Sequence, residues 1–184
     1  MRMVTAALIA LTVVLVGCSN EGPTEPSSAT SAPVLTRHPA TAATLVSRPL
    51  DGRCETEFTA VPLSPTQVRH LDTGTCWLTH LGRSTVSLNL VIDFVAGSIV
   101  SQEVTYTAAN GDVLRAVIVG TFTITGPTTV AFGGSQNFTG GTGRFERASG
   151  SAPFEGSADL ATSTSVFTFE GRIAYAAPDR SGTE

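Results

Sequence analysis

Residues 84–94 read STVSLNLVIDF, and the pattern inside this stretch decides the fold class. Val86, Leu88, Leu90, Ile92 and Phe94 alternate with Thr85, Ser87, Asn89 and Asp93. A period of two is the mark of a β-strand with one dry face and one wet face. The same parity recurs in residues 112–125, DVLRAVIVGTFTIT, where Leu114, Ala116, Ile118, Phe122 and Ile124 oppose Arg115, Thr121, Thr123 and Thr125. It recurs again in residues 165–176, SVFTFEGRIAYA, where Phe167, Phe169, Ile173 and Tyr175 oppose Thr168, Glu170 and Arg172. Weaker copies at 53–61, 70–80, 99–108, 128–138 and 150–161 bring the total to about eight strands.

Turn chemistry separates them. Asn110-Gly111 suits a two-residue hairpin whose central residues both take positive φ, and Gly82-Arg83 and Gly126-Pro127 mark further reversals. No long amphipathic helical period is present. Eight antiparallel strands with one dry face can close on themselves, which hides that face and removes the sheet edges. A two-sheet sandwich satisfies the same pattern; an all-β, eight-stranded antiparallel barrel is the preferred reading.

The region before the barrel has a different character. Arg2 and the uncharged apolar run Val4–Val16 form a secretory signal pattern. Thirteen apolar residues are too few to cross a hydrocarbon core, which takes about 20. Leu15-Val16-Gly17-Cys18 resembles the lipobox of bacterial lipoproteins. The resemblance implies cleavage after residue 17 and lipidation of Cys18. A membrane anchor in the bacterial cell envelope follows from it, at the outer membrane or cell surface because Ser19 rather than Asp stands next. Residues 18–48 hold four of the ten prolines amid Ser, Thr and Ala, which makes them a disordered, lipidated linker. The expected domains are then a signal peptide at 1–17, the linker at 18–48, the barrel at 49–178 and a tail at 179–184.

Secretion implies an oxidising space, where the two remaining cysteines, Cys54 and Cys76, pair as a disulfide. The net charge of −4 and the absence of any basic cluster argue against nucleic acid as a partner. Every basic residue is arginine; the chain has no lysine.

Residues 140–150, GGTGRFERASG, are the glycine-rich exception to the strand pattern. A phosphate-binding loop must lead into a true helix, and here only Arg-Phe-Glu-Arg-Ala-Ser separates Gly143 from Gly150. The scaffold reading holds instead. Gly140, Gly141 and Gly143 turn the chain, Phe145 folds back as a plug under one barrel end, Ala148 fits a tight spot and Gly150 starts the next strand. This Gly-Gly-Thr-Gly-x-Phe-x-x-Ala-x-Gly run resembles the signature of the dirigent and allene oxide cyclase barrel superfamily. The segment Cys76–Arg83, CWLTHLGR, is similar to an early segment of its bacterial branch. The resemblance implies an eight-stranded antiparallel barrel, often trimeric in plants, whose interior binds a hydrophobic intermediate and steers its cyclisation or coupling. A homo-oligomer is therefore a possible assembly.

Parity places nearly all inward positions on apolar residues. The inward polar positions are Thr56, Gln102, Tyr106, Gln136 and Tyr175, and the last four are the candidates for lining a ligand cavity. Glu55, Glu57, Asp93, Glu103, Glu155, Asp159 and Glu170 point outward, so no carboxylate is expected inside a clearly phased strand. His70, Asp72, Cys76 and His80 share one parity and are all zinc-ligand types. Their spacing matches no zinc site, a bulge at Gly74 would break the phase, and Cys76 is better used by Cys54. No metal, cofactor or catalytic residue is therefore expected. Trp77 faces out. An interior filled by side chains is expected, with a ligand cavity as the alternative. The functional expectation is a non-enzymatic binding or structural module on a membrane tether; the alternative is a cyclase- or isomerase-like barrel acting on a small apolar ligand.

Overall fold

The computed structural model describes residues 44–176. The signal segment 1–17, Cys18, most of the linker and the tail 179–184 lie outside the described residues. Eight strands run in chain order: β1 (Leu45–Pro62), β2 (Gln67–Leu78), β3 (Gly82–Asp93), β4 (Ser98–Ala108), β5 (Val113–Ile124), β6 (Thr129–Gly141), β7 (Ser149–Asp159) and β8 (Thr164–Ala176). Each pairs antiparallel with its chain neighbour, and β1 pairs with β8 to close the barrel. β1 carries the closure because its 18 residues serve two partners: Gly52–Pro62 pairs with β2 and Leu45–Glu57 with β8. Residues 45–48, read above as linker, are already strand.

The alternation read from the sequence becomes burial. Val86, Leu88 and Leu90 of β3, Leu114, Ala116 and Ile118 of β5, and Phe167, Phe169, Ile173 and Tyr175 of β8 are buried. Cys54 and Cys76 face each other directly across β1 and β2, with Cα atoms 4.1 Å apart, and form a disulfide.

The two ends differ. At one end all four connections, 63–66, 94–97, 125–128 and 160–163, are four-residue turns. At the other end β6 leads into a 3₁₀ turn, Gly143–Phe145, before β7 begins. Phe145 is fully buried there, 5.1 Å from the Tyr175 ring, with Ala148 buried beside it. Gly140, Gly143 and Gly150 have φ of 121°, 55° and 138°, the region that favours glycine. Gly141 differs: its need is space, since a Cβ there would lie 1.8 Å from the Val113 carbonyl oxygen. The plug expected from residues 140–150 is in place.

Two local expectations change. The β4–β5 turn forms at Asn110-Gly111, but only Gly111 has positive φ, 86°. The Gly111 amide donates to the Ala108 carbonyl at 2.9 Å, so the link is a type I turn followed by a left-handed glycine rather than a two-residue type I′ turn. The second change is at Gly74, where β2 keeps its register against both β1 and β3 without a bulge. Gly74 instead marks a close approach, because a Cβ would sit 2.0 Å from the Glu55 carbonyl oxygen of β1.

Candidate functional site

The end with four short turns is open. Nothing in those turns is long enough to fold across it, and a cavity of about 130 Å³ runs inward from the rim. The expectation of a filled interior is therefore corrected: parity places side chains inside, but whether they meet depends on whether a loop adds a plug at each end. Phe94 (54% exposed), Ile124 (67%) and Leu160 (49%) form the rim while also facing the cavity. Deeper in, the walls are Leu88, Leu90, Ile99, Ile118 and the rings of Phe58, Phe122, Phe132, Phe154 and Phe167.

Three polar residues interrupt this apolar lining: His70, Asp72 and Ser165. β2 positions the first two, because its unbroken phase aims both at the interior. Asp72 stands opposite Phe58 of β1 and Leu88 of β3, and is only 5% exposed. Its Oδ1 is buried without a hydrogen-bond partner. Burial among apolar walls disfavours the charged form and pushes its pKa up to about 7. His70 stacks on the Phe58 ring at 4.5 Å, and burial lowers its pKa, so the imidazole is neutral at pH 7. Ser165 is within 2.7 Å of the Thr56 hydroxyl, a pair in which either can donate. A carboxyl poised near neutrality in a dry pocket can hold or release a proton against a bound molecule.

The expectation that the interior holds no carboxylate is thus overturned by Asp72. The signal was in the shared parity of His70 and Asp72, and it was lost by assuming a bulge at Gly74.

None of the four proposed cavity residues lines this cavity. Gln102 points outward, where its Oε1 accepts from the Asn89 amide at 3.3 Å. The reason is a bulge in β4: Asn89 pairs with Glu103 and Leu90 with Ser101, which leaves Gln102 as the extra residue. Along β4 the inward parity therefore switches from odd (Ile99, Ser101) to even (Val104, Tyr106), and Ser101 turns in, its hydroxyl accepting from the Ile118 amide at 2.6 Å. Tyr106 and Gln136 are inside and fully buried away from the cavity, the Tyr106 hydroxyl donating to Gln136 Oε1 at 2.8 Å while Gln136 Nε2 has no hydrogen-bond partner. Burial holds the Tyr106 phenol well above the ordinary tyrosine range. Tyr175 belongs to the plugged end, where Arg48 donates to its hydroxyl at 3.2 Å and lies 4.8 Å from its ring centre.

The zinc-type residues do not converge. Cys76 is in the disulfide, and His80 occupies the β2–β3 turn at the plugged end, its Nε2 2.8 Å from the Pro49 carbonyl oxygen. Among the described residues no three His, Cys, Asp or Glu side chains gather as a metal site would require. Trp77 faces solvent, with Arg83 5.9 Å from its ring.

No protein-family model matches the sequence, and no curated protein is similar to it. Among solved structures, the pterocarpan synthase dirigent protein GePTS1 is similar at 13% identity with a TM-score of 0.48, over 73% of this chain and 93% of that one.

Proposed function

We propose that this chain is a binding module whose barrel receives a small apolar molecule through its open end, on a membrane tether anchored by a lipid at Cys18. The open apolar cavity carries the reading. Its volume of about 130 Å³ is close to the ~150 Å³ of an engineered apolar cavity that stays dry and takes up benzene. A site of apolar walls with a few placed polar groups is the usual form of a small-molecule pocket. Among the described residues facing the cavity, Asp72 and His70 are the titratable ones, which supports binding over multi-step catalysis.

Thermal unfolding with increasing toluene tests this. A ligand bound only by the folded state raises Tm with its concentration, so a dose-dependent rise is expected, with NMR shifts in Leu88, Leu90 and Ile118. A flat Tm and unchanged spectra up to toluene saturation would refute the reading.

A further inference from the structure

We propose that the molecule this cavity takes is a small hydrophobic amine in its protonated form, its ammonium held by Asp72 and its apolar body seated among the phenylalanine rings. The inference rests on the binding function above and names the ligand class. Three independent observations carry it.

The first is an uncompensated acid. Asp72 is 95% buried, faces the cavity, and has one oxygen with no partner. Among the described residues no Arg or Lys faces the cavity, and its neighbour His70 is stacked on Phe58 in neutral form. A buried carboxyl left this way is costly unless something pairs with it. An ammonium supplies both the missing hydrogen-bond donor and the missing charge, whereas an alcohol supplies only the donor.

The second is the wall. Aromatic faces attract cations, most strongly where water is excluded, and Phe58, Phe122, Phe132, Phe154 and Phe167 surround the space that Asp72 faces.

The third is the approach. Around the mouth, over residues 57–69, 91–100, 121–131 and 157–165, the charged residues are Glu57, Asp93 and Asp159 against Arg69. The plugged end instead carries Arg48, Arg83, Arg144, Arg147 and Arg172 against Asp51, Asp112, Glu146 and Glu170, a small positive excess. This polarity draws a cation toward the open end.

The walls contributed by β1 and by β3 through β8 contain no titratable group; His70 is the only one besides Asp72. The Asp72 carboxyl is half-ionised near pH 7 in the empty barrel and must ionise to pair with an ammonium. Amine affinity therefore rises from pH 5 to pH 8.

Calorimetric titration of the protein with benzylamine, benzyl alcohol and toluene, three ligands of nearly one size, tests the assignment. At pH 8 benzylamine is expected to bind about tenfold more tightly than benzyl alcohol, with the advantage shrinking at pH 5. Asp72→Asn should lose the amine preference and its pH dependence while still binding toluene, which also shows that the variant is folded. Benzyl alcohol binding as well as benzylamine at pH 8, or an amine preference that survives Asp72→Asn, would overturn the amine assignment and leave small-molecule binding standing. Failure of all three ligands would overturn the binding function and the assignment together.

Discussion

Asp72 concentrates an unusual amount of free energy in one side chain. The folded barrel keeps its proton up to about pH 7, whereas the unfolded chain releases it near the ordinary value of 3.8. Between those values the folded state binds the extra proton, so stability falls as pH rises through the window, and the full cost is present above pH 7. That cost is on the order of 4 kcal/mol. His70 acts in the opposite sense. Its folded pKa lies below 6.5, so acid protonates the unfolded chain first and stability is lost as pH falls below that value. Asp72→Asn keeps the shape and removes the ionisation, at the price of a buried amide. At pH 8 the variant should be more stable than the parent by about 2 kcal/mol, or roughly 7 °C in Tm. Its Tm should also stop falling between pH 5 and pH 8 and retain only the acid-side loss due to His70. A parent Tm that is flat from pH 5 to 8 would mean that Asp72 is ionised and solvated in the barrel.

The start of β7 shows how an element can depend on the absence of a side chain. Gly150 has φ of 138°, and a Cβ there would lie 2.2 Å from the Arg172 carbonyl oxygen of β8, a backbone atom that cannot move without breaking the strand pair. Gly143 has φ of 55° in the plug turn, but the atom a Cβ would strike is the Asp112 carboxylate oxygen, the free end of a side chain. Alanine at 143 therefore costs mainly the left-handed backbone, about 1 to 2 kcal/mol. Alanine at 150 adds a backbone collision and should cost 3 kcal/mol or more. Urea unfolding of Gly143→Ala and Gly150→Ala measures both, and equal losses would contradict the close β7–β8 approach. These glycines were legible in the sequence because a dense glycine run without a following helix has few other uses. The β4 bulge was not. One extra residue at Gln102 leaves an alternating string of plausible length, and only pairing on both sides, with β3 and with β5, shows where the count slips.

At the scale of the whole molecule, closure and cross-linking work together. The Cys54–Cys76 disulfide ties β1, the strand that closes the barrel, to β2, over a separation of 22 residues. Removing it frees a loop of that length in the unfolded chain, a loss of about 3 kcal/mol in the chain-entropy model. Calorimetry of the protein with and without reductant should show Tm lower by about 10 °C in the reduced form. An unchanged Tm would place the stability almost wholly in the closed sheet. The architecture itself could be read residue by residue. Period-two alternation in β3, β5 and β8 is a local consequence of strand geometry, and turn residues fall between the strands in the same string. Strand number, the disulfide and the Phe145 plug followed from such local rules, as did the outward placement of Glu55, Glu103 and Glu170. The cavity did not, because a void is the place where side chains from all eight strands fail to meet. It depends on the short turns at one end, on the stacking of His70 against Phe58 and on the register that aims Asp72 inward. Those are distances between residues far apart in the chain, and they exist only once the barrel has closed.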